Sequence, residues 1–311
     1  MPHIRGIRIK NVTAAAALVL AAILLAPAAG AQTCPPAGMS RQQLVDLKAH
    51  GFTVPDEARR QSLALDLLPC LGSTDQQLRD SIAFEALSKW LRDKQLTAAT
   101  AGTILERLMV QLASDHPDPA GVERPFAALT LAEVARFDRI EPFMTDRQLQ
   151  QLVDASTRYL ESIRDYRGFD EREGWRHAVA HTSDMMLQLA VNPRTSKAQL
   201  DQMLAAIATQ VAPAGQHFYI YGEGNRLAQA VFYIAKRKLH TADEWRKWFE
   251  QVSAPAPLAN WGDAWTSQRG IAKHQNTMQF LTTLYLYIRE SGSDFQDLVL
   301  PSIVAAVKPM L

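Results

Sequence analysis

The stretch SKAQLDQMLAAIATQV, which runs from Ser196 to Val211, carries the pattern that decides the fold. It opens as a capping box, in which the serine hydroxyl can accept a hydrogen bond from an unpaired backbone N–H and Gln199 can reach back. Since Pro213 cannot continue a helix, the stretch predicts one amphipathic helix that ends before it. The apolar residues between these signals recur at helical spacing: Leu200, Met203, Leu204, Ile207 and Val211.

The same signals recur along the chain. Three further capping boxes begin at Thr74, Thr145 and Thr241. One β-like run, HFYIY from His217 to Tyr221, stands alone, and the sequence offers no second strand to pair with it. The pattern therefore predicts an all-α fold.

The width of one apolar face predicts how the helices are arranged. We expect a helix from Asp75 to about Arg92, and its apolar residues spread over more than half of the circumference. A helix with so wide an apolar arc is covered on more than one side. Because the capping boxes are unevenly spaced, we expect an irregular, HEAT-like α-α superhelix of stacked antiparallel helix pairs.

The first residues of the chain have the pattern of an export signal. A basic segment, residues 1–13, is followed by an apolar run, residues 14–26, and by small residues up to Ala31. These zones are typical of a secretory signal peptide and predict cleavage after Ala31. The alternative is an uncleaved membrane anchor, but the run is shorter than the ~20 residues of a spanning helix. We therefore expect residues 1–31 to be removed and residues 32–311 to form a single all-helical domain, periplasmic or secreted and free of the membrane.

The chain has two cysteines, Cys34 and Cys70, and export would place both in an oxidising compartment. A disulfide between them would tie the leading segment to the first helical layer. In the chain-entropy model it would contribute at most roughly 4 kcal/mol. The alternative is a pair of buried free thiols.

Composition excludes some classes of partner. The chain has 33 Lys and Arg residues against 32 Asp and Glu residues, and it has no long run of one sign. Electrostatics therefore predicts neither nucleic acid nor an anionic membrane surface as a partner. The sequence also lacks a nucleophile elbow, a Cys-x2-Cys pair, a Walker-type loop and a Rossmann fingerprint. The expected partner is an unknown protein or a small-molecule ligand.

The stretch GWRHAVAHTSD, from Gly174 to Asp184, is the main candidate for a functional site. We expect a helix over residues 170–191 on which His177, His181 and Asp184 share a face opposite the apolar stripe. Two imidazoles and a carboxylate at this spacing can hold zinc or another divalent metal ion. Two other interpretations stay open: the histidines hydrogen-bond a neighbouring element, or they form a metal-free ligand-binding or catalytic cluster.

Four blocks carry a family resemblance: LRDSIAFEALSKWL (Leu78–Leu91), ERPFAAL (Glu123–Leu129), YLESIRDYRGF (Tyr159–Phe169) and GWRHAVAHTSDMMLQL (Gly174–Leu189). In this order they resemble the bacterial family called domain of unknown function 2785. The resemblance implies an all-helical fold and assigns no activity. It marks eight characteristic positions: Asp165, Arg167, Gly168, Gly174, Trp175, His177, His181 and Asp184.

Asp165 and Arg167 come just before the turn that leads to the histidines. An arginine can bind a carboxylate or several loop carbonyls at once. We therefore expect this pair to join His177, His181 and Asp184 in one polar cluster between two helices. Two functional hypotheses follow: an exported helical array that binds a partner without catalysis, or a metal-dependent hydrolase that uses the two histidines and Asp184.

Overall fold

The computed structural model describes residues 33–292 and 294–311, so the predicted signal peptide lies outside the described residues. Within them the chain is almost entirely helical. The α-helices are α1 (Arg41–Ala49), α2 (Glu57–Asp66), α3 (Glu85–Arg92), α4 (Ala98–Leu112), α5 (Glu123–Ile140), α6 (Asp146–Ser162), α7 (Ala178–Ala190), α8 (Lys197–Val211), α9 (Glu223–Lys236), α10 (Ala242–Val252), α11 (Gln268–Glu290) and α12 (Gln296–Val307).

Two kinds of shorter element complete the chain. A π-helix, Gln77–Phe84, runs directly into α3. Short 3-10 segments lie at Leu68–Gly72, Trp261–Thr266 and Lys308–Met310. Two strands of two residues each, β1 (Phe169–Asp170) and β2 (Gly174–Trp175), form an antiparallel hairpin between α6 and α7.

The helices pack as two rows of neighbours. In one row α3 packs against α5, α5 against α7, α7 against α9 and α9 against α11. In the other row α4 packs against α6, α6 against α8, α8 against α10 and α10 against α12. The rows meet over one continuous apolar core. The prediction of an all-α, irregular α-α superhelix is confirmed.

Three of the four predicted capping boxes form as expected. Thr145, Ser196 and Thr241 each accept a backbone N–H, and the Gln or Glu three residues later accepts the N–H of the cap residue. The box predicted at Thr74 is wrong. There, Asp75 accepts the N–H groups of Gln77 and Leu78 instead, because its carboxylate is the stronger acceptor.

The helix expected from Asp75 is present, but its first half is π-helical. The wide apolar arc behaves as predicted, since Leu78, Ile82, Leu87 and Trp90 are all buried. A π-helical segment inside a longer helix often marks a functional part of a protein. Here it places the fully buried guanidinium of Arg79 against the β1–β2 hairpin.

One local prediction around the site is wrong. The helix expected over residues 170–191 begins only at Ala178, because the chain first turns back on itself in the hairpin. The β-like run His217–Tyr221, for which the sequence offers no pairing strand, is an irregular loop.

The disulfide between Cys34 and Cys70 is present, with Cα atoms 5.0 Å apart. It joins the first described residues to the segment after α2, and Cys70 lies in the apolar core. Among the described residues, no helix has the length and apolar character to cross a bilayer.

Candidate functional site

The hairpin β1–β2 is fixed by contacts from the π-helix. Arg79 donates hydrogen bonds from Nη2 to the carbonyl oxygens of Glu173 (2.7 Å) and Trp175 (3.4 Å). Gly174 has a φ of +73°, and a Cβ there would lie 2.6 Å from the Gln76 side chain. Only glycine fits this position without strain. The hairpin is therefore held in one place by a buried cation and by a close backbone approach.

His177 lies just before α7 and has the left-handed φ of 55°. Its ring stacks on Trp175, with centroids 4.7 Å apart, and meets the ring of His181 edge-on at 5.7 Å. His181 also packs edge-on against Phe126 at 5.2 Å. Both histidines are only 8% exposed, so neighbouring elements cover the face that they share.

Burial makes both imidazoles neutral. It lowers the pKa of His177 to about 4, and the nearby charge of Arg226 acts in the same direction. Burial lowers the pKa of His181 to about 3, helped by His177 and Arg226. The His177 Nε2 and His181 Nδ1 atoms are buried and have no hydrogen-bond partner among the described residues. These two nitrogens are the unassigned polar atoms of the site.

Asp184 does not face the histidines as a free carboxylate. Both of its oxygens accept hydrogen bonds from Arg226 Nη1, at 2.6 and 2.5 Å. Burial raises the pKa of Asp184, and Arg226 opposes that shift. Within the described ranges, no three His, Cys, Asp or Glu side chains are grouped so that they could hold a metal ion. Arg226 therefore occupies the carboxylate of the donor set predicted for zinc or another divalent metal.

Asp165 and Arg167 form a separate pair. Arg167 donates to both Asp165 oxygens, at 2.9 and 3.0 Å from Nε, and to the Pro119 carbonyl at 3.2 Å. Burial tends to raise the pKa of Asp165, but hydrogen bonds from Arg167 outweigh it and hold that pKa below its usual value. One backbone bond, from His177 N–H to the Arg167 carbonyl, connects this pair to the histidines. The five candidates thus fall into two groups rather than one cluster.

A groove of about 490 Å³ lies beside the hairpin, and we call it the loop groove. Its walls come from two irregular segments, residues 163–177 and 212–222. Its aromatic and apolar lining is Tyr166, Phe169, His217, Ile220 and Tyr221, and its charged lining is Arg167, Asp170, Glu173 and Arg176.

The two walls of the loop groove are held together by aromatic contacts. Tyr166 stacks on His217 with centroids 5.0 Å apart, and Tyr221 meets Trp175 edge-on at 5.9 Å. A Cβ on Gly168 would lie 2.0 Å from the ring of Tyr221, so glycine is required there by contact. In contrast, Ile220 is 70% exposed and Phe169 is 43% exposed at the open side of the groove.

Sequence reasoning missed three residues that build this site. Arg79 and Arg226 lie far along the chain from the histidines, and nothing in their local pattern indicates the contact. Tyr221 belongs to the β-like run His217–Tyr221, whose high aromatic content was a usable signal. Its aromatic side chains serve as a groove wall and not as a strand.

The site falls inside the region that a known family covers. The family model described as "Protein of unknown function (DUF2785)" matches residues 85–286, well over half of the chain. The matched region contains the hairpin, both histidines and both walls of the loop groove. No curated protein and no solved structure shows significant similarity to the chain.

Proposed function

Because the chain belongs to the DUF2785 family, which has no assigned activity, we propose its function from the loop groove: the protein binds a small ligand there without catalysis. The groove volume of about 490 Å³ lies in the range of small-molecule sites. We further propose that the protein works outside the cytoplasm, which the Cys34–Cys70 disulfide supports.

One observation carries the proposal: exposed apolar side chains sit at the mouth of an aromatic groove. Ile220 and Phe169 expose apolar surface to water, and they line the same groove as Tyr166 and Tyr221. An apolar or aromatic ligand placed between them would remove these side chains from water. Arg167, which is exposed at the rim, would orient a polar or anionic end of that ligand.

The histidines support this groove from beneath. His177 stacks under Trp175, whose strand pairs with the strand that carries Phe169. As neutral, buried rings they contribute packing and hold the hairpin in position. The proposed role of this pair is therefore to position the groove wall.

The proposal is tested by titrating the purified protein with anilinonaphthalene sulfonate, a fluorescent probe with an apolar ring system and one anionic group. We expect saturable binding to one site. Ile220→Asp should weaken that binding by about tenfold, since it replaces an apolar contact with a charge that repels the sulfonate.

Leu286→Asp is the matched control, because Leu286 is similarly exposed (56%) but lies on α11, away from the groove. It should leave probe affinity unchanged. Equal affinity in the wild type and Ile220→Asp, or binding that does not saturate, would count against the groove as a ligand site.

A metal-dependent hydrolase remains the second candidate, and one observation favours it: the partnerless nitrogens of His177 and His181. The donor set argues against it, since Asp184 is bound by Arg226 and two imidazoles alone leave the site incomplete. Metal analysis of the wild type and of the double variant His177→Ala, His181→Ala decides the matter, because stoichiometric metal lost in the variant would revive this candidate.

A further inference from the structure

A second, smaller cavity of about 260 Å³ lies behind the loop groove, and we call it the arginine cavity. It lies where the start of α5, the end of α6 and the start of α7 meet. Its polar lining is Asp118, Arg124, Tyr159, Ser162, Arg164, Asp165 and Arg176. Arg176 alone of these also lines the loop groove.

The acceptors in the arginine cavity are already occupied. Asp118 accepts backbone N–H groups from Gly121 (2.8 Å) through one oxygen and from Glu123 (3.0 Å) through the other. Both oxygens of Asp165 accept from Arg167. The two carboxylates therefore have little capacity left to bind the arginines that face them.

The donors, in contrast, are not fully used. Arg124 makes no side-chain hydrogen bond or ion pair to any described residue, and its guanidinium lies 5.9 Å from the ring centre of Tyr159. Arg164 donates from Nη1 to the carbonyl oxygens of Glu161 (2.8 Å) and Ile163 (2.6 Å) at the end of α6. Arg176, 6% exposed, donates from Nε to the Ala120 carbonyl (2.7 Å) and pairs with Glu173 through Nη2, which leaves Nη1.

Two further groups in the walls of the arginine cavity have no partner. Tyr159 is only 7% exposed, and its hydroxyl has no hydrogen bond to the part of the chain that the structure describes. Ala178, which also lines the cavity, is the first residue of α7, and no side chain caps that helix. The positive end of an uncapped helix attracts negative charge.

We propose that the arginine cavity binds a compact oxyanion with two negative charges, such as a phosphate group. Arg124 and Arg176 supply the charge, and the Tyr159 hydroxyl supplies a further donor. An oxyanion fits because its oxygen atoms can accept hydrogen bonds from the arginine and tyrosine donors that have no partner in the cavity walls. The cavity lies below the volume of drug-sized sites, so the ligand or its anionic part is small.

The test is a calorimetric titration of the purified protein with inorganic phosphate at constant ionic strength. We expect saturable binding. Arg124→Gln should weaken it by about tenfold, since a charge-assisted contact is lost. Tyr159→Phe, which keeps the ring and removes the hydroxyl, should weaken it by about threefold or more. Arg107→Gln, at an exposed arginine of α4 that does not line this cavity, is the matched control and should have no effect.

Succinate provides a second arm, since tighter binding of succinate than of phosphate would identify the ligand as a dicarboxylate. The proposal is overturned if phosphate and succinate bind no better than chloride, or if Arg124→Gln and Tyr159→Phe both bind phosphate like the wild type. If Arg124→Gln does not fold, Tyr159→Phe decides alone. Ile220→Asp should keep phosphate binding, so a failure of the loop groove and a failure of this cavity are told apart.

Discussion

His177 and His181 stay neutral at pH values where the histidines of an unfolded chain are charged. Their folded pKa values are lowered to about 4 and about 3 from the ordinary 6.5, because both rings are buried. The folded state therefore binds fewer protons than the unfolded state between these limits. The part of the free energy of unfolding that depends on these neutral imidazoles is fully present above pH 6.5 and is lost as the pH falls towards 4.

We expect the free energy of unfolding to fall steeply when the pH is lowered from about 7 to about 4.5. The shift of His177 alone corresponds to about 3 kcal/mol over its full range. Urea unfolding followed by circular dichroism at several pH values measures this slope. In His181→Gln the slope should be shallower than in the wild type, since one of the two buried imidazoles no longer titrates.

Asp80, Asp184 and Glu223 act in the opposite direction, because burial raises the pKa of each carboxyl group, that of Asp80 to about 6. A raised acid pKa makes stability fall as the pH rises, so these three groups reduce the slope. Equal slopes in the wild type and in His181→Gln would contradict the burial of His181 as a neutral group.

The position of His177 shows where residue-level reasoning from sequence reaches its limit. A helical wheel assumes that every residue has helical dihedrals, but His177 has a φ of 55° and sits outside α7. The closeness of His177 to His181 was nevertheless predicted correctly. Their burial was not, because it depends on Trp175 and Phe126, which reach them from other elements.

At the scale of elements, a helix cap could be predicted where the capping side chain and the N–H group that it binds lie within three residues of each other. A serine or threonine followed by glutamine or glutamate three residues later needs no distant partner. For this reason the starts of α6, α8 and α10 were predicted correctly. At Thr74 the next residue, Asp75, offers a carboxylate that accepts two N–H groups and also pairs with Arg41.

The difference between these caps can be measured. Ser196→Ala should lower the free energy of unfolding by about 1 kcal/mol, since the Gln199 N–H at the start of α8 loses its acceptor. Thr74→Ala should have almost no effect, because Thr74 is exposed and caps nothing. Thermal or urea unfolding of both variants gives the comparison. A loss at Thr74 as large as that at Ser196 would contradict the assignment of the cap to Asp75.

The hairpin β1–β2 could not be predicted from the sequence. Its strands are two residues long, too short for an alternating pattern, and Asp170 with Glu173 has the spacing of a helix cap. Long-range contacts hold it: Arg79 bonds to its carbonyls and Gln76 packs against Gly174. The hairpin, which forms part of the loop groove, is therefore held by contacts with residues distant in sequence, and its local pattern does not predict it.

For the whole molecule, the all-α class and the paired helices followed from signals repeated many times along the chain. Each cap and apolar stripe is local, and together they specify two packed rows without any knowledge of the contacts. The Cys34–Cys70 disulfide is one of the two alternatives that the sequence left open, the other being a pair of buried free thiols, and the structure has the disulfide. The site required contacts between distant segments, which one sequence does not reveal.

Reducing the disulfide should destabilise the whole chain. The bond closes a loop with a sequence separation of 36 residues, for which the chain-entropy model gives up to about 4 kcal/mol. We expect the urea midpoint of the wild type to fall in dithiothreitol. Cys34→Ser should be less stable than the oxidised wild type and should not respond to dithiothreitol, which separates the effect of the bond from that of the reagent. An unchanged midpoint in the reduced wild type would contradict the prediction.

The π-helix has a consequence for comparing relatives by chain length. Each of its turns holds more chain than an α-helical turn, so Gln77–Phe84 behaves as an insertion within a longer helix. Deleting one residue after Arg79 would let α-helical pairing resume while the flanking residues keep nearly the same faces, because the wide π-turns absorb that residue. The Arg79 guanidinium would then keep its direction towards the carbonyls of Glu173 and Trp175. A relative that is one residue shorter in this segment can therefore hold its hairpin in the same way, and a difference in length here is not by itself the sign of a different loop groove.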